Sequence, residues 1–169
     1  MMTQDQQQLW KQIKDFDLNA SGASFSFTDR LVRENDWPLA YALRVVMEYK
    51  RFMFLICVAE HPLTPSDEVD QAWHLHLLYT ESYWEDFCNK TLGRKIQHGP
   101  TKGGQSEKDK FNDWYSATKT LYQTYFDKEP PADIWPGNEI RFSNTNYTRV
   151  NRHQHWVIPK PRFLRLWKR

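Results

Sequence analysis

A chain of 169 residues and 20.4 kDa can build the core of one domain and is too short for two of ordinary size. With 40% hydrophobic and 26% charged residues it falls outside the composition of disordered chains. The net charge of +2 hides an asymmetry. Arg141, Arg149, Arg152, Lys160, Arg162, Arg165, Lys168 and Arg169 give the last 29 residues +8 with no acidic partner, which leaves −6 on residues 1–140. Such a tail suits anionic partners or can fold back on its own acidic body.

Aromatic content is high: 8 Trp, 8 Tyr and 10 Phe against 6 Gly. Each ring can bury roughly 150–250 Å², so few aliphatic residues are needed to fill a core. The longest apolar run, Phe52 to Ala59, has 8 residues, well short of the roughly 20 of a membrane-spanning helix. Met1 to Gln8 has neither the basic start nor the apolar stretch of a signal peptide. Two thiols, Cys57 and Cys88, are too few for a disulfide scaffold. A cytoplasmic location is the resulting expectation.

Helical periodicity governs the first three quarters of the chain. Leu9, Trp10, Ile13 and Phe16 follow Thr3, an N-cap residue, and predict a helix over 4–17. Thr28 and Asp29 open a short second helix carrying Leu31 and Val32 inward. From Pro38 to Ala59, the apolar positions Leu39, Ala42, Leu43, Val46, Tyr49, Met53 and Ile56 mark a central, buried helix. Thr64 and Asp67 have capping-box spacing for a fourth helix reaching Tyr79. Thr80 caps a fifth that stops at Gly93, a natural C′ residue.

Gly99, Pro100, Gly103 and Gly104 mark a loop. Ser106 and Asp109 then cap a long helix bearing Phe111, Trp114, Tyr115, Thr118, Leu121, Tyr122 and Tyr125 along one side. Beyond Lys128, five prolines interrupt a stretch without sustained period. The expected fold is all-α: an irregular bundle of about five helices in residues 1–128, followed by a mostly non-helical basic tail, 129–169, wrapped on the bundle or partly mobile.

Chemistry concentrates in Val69-Asp70-Gln71-Ala72-Trp73-His74-Leu75-His76 and the residues after it. Asp70 and His74, four apart, share a helical face, whereas His74 and His76 are turned about 200° from each other. His76 lines up with Val69, Ala72, Trp73 and Leu77 and points to the core, as an inward ligand or as a buried hydrogen-bonding group beside a residue such as Tyr83. His74 is the working histidine of any reaction, its ring held by Asp70. His74, His76, Cys88 and His98 form the candidate ligand set for zinc or iron. Cys88, with Trp84 and Leu92 at helical spacing, reads equally as a buried thiol. His153-x-His155 would present both rings on one side if extended.

Three functions follow. The first is a helical binding or adaptor domain whose tail residues Arg162, Arg165, Trp167, Lys168 and Arg169 meet a protein partner or an anionic membrane surface. The second is a metal-dependent enzyme, such as a hydrolase, in which Asp70 and His74 handle a proton. The third is nucleic-acid binding by the aromatic, basic tail.

The string Val69-Asp70-x-x-Trp73-His74-x-His76, with Tyr83, Phe87-Cys88, Leu92-Gly93 and His98 after it, resembles the glycine-rich domain-containing protein-like family. That family is found in plants, with shorter bacterial relatives. The resemblance spans about residues 60–100 and implies an all-α domain with a shared His/Cys cluster. Plant members are associated with stress and development, and some carry an RNA-binding motif that has no counterpart here. Phe87-Cys88 replaces the family's Asp-Cys pair, and the glycine-rich region is missing from a chain with only 6 Gly.

Overall fold

In the computed structural model the described residues are 2–19, 22–99, 104–143, 150–151 and 153–158. Among them there are helices and no strand. The order is α1 (Gln4–Asp15), α2 (Phe27–Asn35), α3 (Leu39–Val58), α4 (Asp67–Leu78), a π-helix π1 (Ser82–Thr91), α5 (Gln105–Phe126) and the single turn α6 (Asn138–Arg141). Among the described residues, no helix is long and apolar enough to cross a membrane.

The caps show why the helices begin where they do. Thr3 caps α1 in a reciprocal box with Gln6, as its spacing predicts. Ser26, two residues ahead of the expected Thr28, forms the same box with Asp29 and opens α2. Ser66, not Thr64, caps α4 by accepting from the Val69 amide. Thr64 is buried, and its backbone exchanges hydrogen bonds with the Thr118 hydroxyl on α5 instead. α5 starts one residue before the expected Ser106, after Gly104 at φ +94, a left-handed-side conformation that favours glycine.

α3 is the hub and packs against α1, α2, α4 and α5. Its buried stripe runs through Ala42, Val45, Tyr49, Phe52, Met53 and Leu55. Leu39 and Leu43, expected on that face, stay 55% and 52% exposed, so the stripe is rotated from the one the apolar spacing suggests. Aromatic rings fill the interior as the composition anticipates. Tyr49, Tyr83, Tyr115, Tyr122, Phe27, Phe52, Phe54 and Phe87 are all fully buried.

Two charged groups of α3 lie inside this packing, and both are satisfied. Lys50 donates to the Lys14 carbonyl at 2.8 Å and also to that of Phe16, closing the C-terminus of α1 where the helix dipole favours a cation. Burial lowers its pKa. Glu48 pairs with Arg51 and accepts from Tyr122 Oη at 3.3 Å and Trp135 Nε1 at 3.0 Å.

Trp135 belongs to the segment expected as the start of the tail, and that start is part of the core. Ile134 and Trp135 are buried. Arg44 grips the Asp133 carboxylate with two bonds of 2.7 Å and holds its pKa below the usual value. Tyr115 Oη donates to the Pro136 carbonyl at 2.9 Å. Arg141, the one described residue among the eight tail cations, folds back onto Asp67 at 2.6 Å and the Pro65 carbonyl at 3.1 Å. No apolar period announces this strap because it is held by isolated anchors.

Candidate metal site on the outer face of α4

α4 turns its two histidines to opposite sides, and their surroundings differ completely. Asp70 and His74 lie on the outward face, where the loop after π1 brings His98 over them. His98 Nε2 is 2.8 Å from Asp70 Oδ1, and His74 Nε2 is 3.9 Å from Asp70 Oδ2. The two imidazoles are 4.6 Å apart between centroids and tilted by 39°. One donor atom from each of the three residues lies within 4.8 Å of the others. His74 is half exposed, whereas the side chains of Asp70 and His98 are 20% and 17% exposed. The Asp70–His74 bond expected from their spacing is replaced by the bond to His98, and His74 sits beyond hydrogen-bond range.

His98 arrives there through a buried relay. Trp73 Nε1 donates to Tyr83 Oη at 2.9 Å, and that hydroxyl donates to the Ile96 carbonyl at 2.7 Å. This ties α4, π1 and the returning loop together two residues before His98. The Trp73 ring then packs edge-on against the His98 ring at 4.2 Å. Tyr83 is therefore a positioning residue for His98 and not the hydroxyl partner of His76.

His76 is fully buried. The rings of Phe16, Phe27, Tyr49, Tyr83 and Phe87 surround it at centroid distances of 5.1–6.0 Å. Its Nδ1 is 2.8 Å from Tyr49 Oη and its Nε2 is 3.2 Å from Ser82 Oγ. The phenol and the serine hydroxyl can each donate or accept, so in the neutral ring one nitrogen accepts and the other donates. Burial pushes the His76 pKa down to about 3, so the ring is a neutral internal bridge.

Cys88 is buried as well, on π1 beside Tyr83, and burial raises its pKa. Both cysteines are free. The structure thus brings together Asp70, His74 and His98 from the sequence-derived set, and keeps His76 and Cys88 apart from them. The reason for Cys88 is π1 itself. Its i→i+5 bonding, seen in Leu92 N–H to the Phe87 carbonyl at 2.8 Å, places residues five apart on one side. Cys88 stands with Tyr83 on the buried side of π1. His153 and His155 are exposed in a turn closed by two hydrogen bonds to the Asn151 carbonyl, not in an extended strand. Arg162, Arg165, Trp167, Lys168 and Arg169 lie outside the described residues.

Two imidazoles and one carboxylate form a donor set that suits zinc or iron. Zinc–nitrogen and zinc–oxygen bonds of about 2.0–2.2 Å require donor atoms closer together than the widest separation here. His74, half exposed and outside hydrogen-bond range of Asp70, is the ligand that would have to move.

The chain also has relatives. A model of the UCP032817-like family matches residues 28–123, which include the whole candidate site. The chain belongs to that family. It is 26% identical over 111 residues to glycine-rich domain-containing protein 2 of Arabidopsis thaliana, covering 59% of this chain and 13% of the relative. It is 30% identical over 86 residues to glycine-rich domain-containing protein 1 of the same plant, covering 48% and 10%. The chain thus spans only 13% and 10% of the length of these curated relatives. No solved structure matches it significantly.

Proposed function

We propose that the protein is a helical binding module that holds one divalent transition metal, zinc or iron, through Asp70, His74 and His98. The observation that carries this reading is the convergence of one donor atom from each residue within 4.8 Å at a site reached from solvent. A bound metal would supply Lewis-acid chemistry there. The chain's own residues divide the work. Asp70 anchors His98, Trp73 and Tyr83 hold the loop that carries it, and the more exposed His74 closes on the ion. The open side of His74 also favours a second reading, a metal-dependent hydrolase in which that face receives the substrate. Contact with a protein partner or an anionic surface through Arg162 to Arg169 rests on the sequence alone.

Metal analysis after loading with zinc or ferrous iron tests the assignment. About one equivalent is expected, with unfolding free energy raised by about 2.7 kcal/mol when free metal is a hundredfold above its Kd. Asp70→Asn and His98→Ala are expected to abolish both effects. Equal uptake by a His74→Ala/His98→Ala double variant would falsify the site.

A further inference from the structure

A second concave site is lined in part by Trp73, the residue that also packs against His98. It is a cavity of about 360 Å³ between the C-terminal end of α3, the 60–63 loop and the segment after π1. That size falls within the range of small-molecule sites. Ile56, Leu63 and Trp73 contribute apolar lining, and Glu60, His61 and Arg94 contribute the charged and polar groups.

The electrostatics of those polar groups are specific. Arg94 and Glu60 are both exposed, and among the described residues neither makes an ion pair. Though they line one cavity, their charged groups do not come within the 4 Å that would let them pair with each other. The Arg94 side chain makes one long contact, 3.4 Å to the Cys57 carbonyl, which leaves most of its guanidinium donors available. His61 holds its Nδ1 3.1 Å from the Pro62 carbonyl, which fixes the proton on that nitrogen and leaves Nε2 for another partner. An unpaired cation and an unpaired anion that line one cavity together with Ile56, Leu63 and Trp73 match a ligand carrying both charges on one end and an apolar group on the other.

We propose that this cavity binds a small zwitterion with an apolar side chain, of the α-amino-acid type. Its carboxylate meets Arg94, its ammonium meets Glu60, and its side chain lies on Ile56, Leu63 and Trp73. A simple organic acid would leave Glu60 facing it as a repulsive charge, and a simple amine would do the same with Arg94. This assignment is independent of metal binding at the neighbouring site.

The test is calorimetric titration of the full chain, in the presence of a chelator, with L-phenylalanine, 3-phenylpropanoate and 2-phenylethylamine. Phenylalanine is expected to bind saturably, and loss of either charged group should weaken binding about tenfold or more, the scale of a charge-assisted hydrogen bond. Arg94→Gln should erase the advantage of phenylalanine over phenylethylamine while keeping its advantage over phenylpropanoate. Glu60→Gln should do the converse. Both positions are exposed, so unchanged thermal midpoints are expected to accompany these shifts. Absence of saturable phenylalanine binding up to about 10 mM overturns the proposal. So does equal affinity for phenylpropanoate, or a uniform loss for all three probes in both variants.

Discussion

His74 and His76 sit two residues apart on one helix and occupy opposite electrostatic worlds. The outer histidine is half exposed, shares a cluster with Asp70 and His98, and has room to turn. The inner one is enclosed by five aromatic rings with both nitrogens hydrogen-bonded. The comparison teaches that a histidine-rich motif need not be one site. The outward half carries the means to hold an ion, and the inward half fixes the packing that keeps the outward half in place.

The largest effect that would sharpen this contrast is on folding. His76→Ala should destabilise the protein by about 3–5 kcal/mol, because it opens a cavity and leaves the Tyr49 hydroxyl without its hydrogen-bond partner. Urea denaturation would measure it, and a loss below about 1 kcal/mol would break the contrast.

Acid should act through the same residue. The folded pKa of about 3 lies below the ordinary histidine value of 6.5, so the fold favours the neutral ring. Its contribution is complete above about pH 6.5 and is lost as pH falls toward 3, by about 1.4 kcal/mol per unit. Tyr49, Tyr83, Cys88 and Ser82 face this ring and remain uncharged across that window, whereas carboxylates elsewhere also titrate in it. The stability difference between the wild type and His76→Gln removes that background. It should shrink as pH falls from 6.5, and a difference independent of pH would refute the buried neutral ring.

Tyr83→Phe should cost about 1–3 kcal/mol by stranding Trp73 Nε1 and the Ile96 carbonyl. It should also weaken zinc binding about 10–100-fold through misplacement of His98. Loss of stability with unchanged zinc affinity would show that the relay does not position the site. Arg44→Ala, which cuts a half-exposed pair with Asp133, should cost no more than about 1 kcal/mol. His74→Ala, without metal, should lie within about 0.5 kcal/mol of the wild type in the same urea experiment.

Much of the fold was legible because it is written in local signals. Thr3 announces α1, and the long apolar pattern of α3 identifies the hub. The opposition of His74 and His76 follows from helix geometry alone. The pairing of His98 with Asp70 was not readable, since it depends on a loop closing across 28 residues, and it is fixed by a hydrogen bond made to the backbone of Ile96. Tyr49 as the partner of His76 lay hidden among the apolar positions of α3. The strap around Trp135 escaped detection for a related reason: its anchors, Arg44, Glu48 and Tyr115, are scattered over two helices.

The π-helix carries one more consequence, for how the chain tolerates change in length. Its turns close over five residues where an α-helix uses four, so it behaves as an α-helix that has absorbed extra chain. Deleting one residue between Tyr83 and Cys88 while π1 keeps its winding would move every later residue one place along the helix. Ile96 would lose its register with Tyr83, and His98 would swing away from Asp70. The spacing from residue 83 to residue 98 is therefore a ruler set by the winding of π1, and substitutions within that stretch should be far better tolerated than a change in its length.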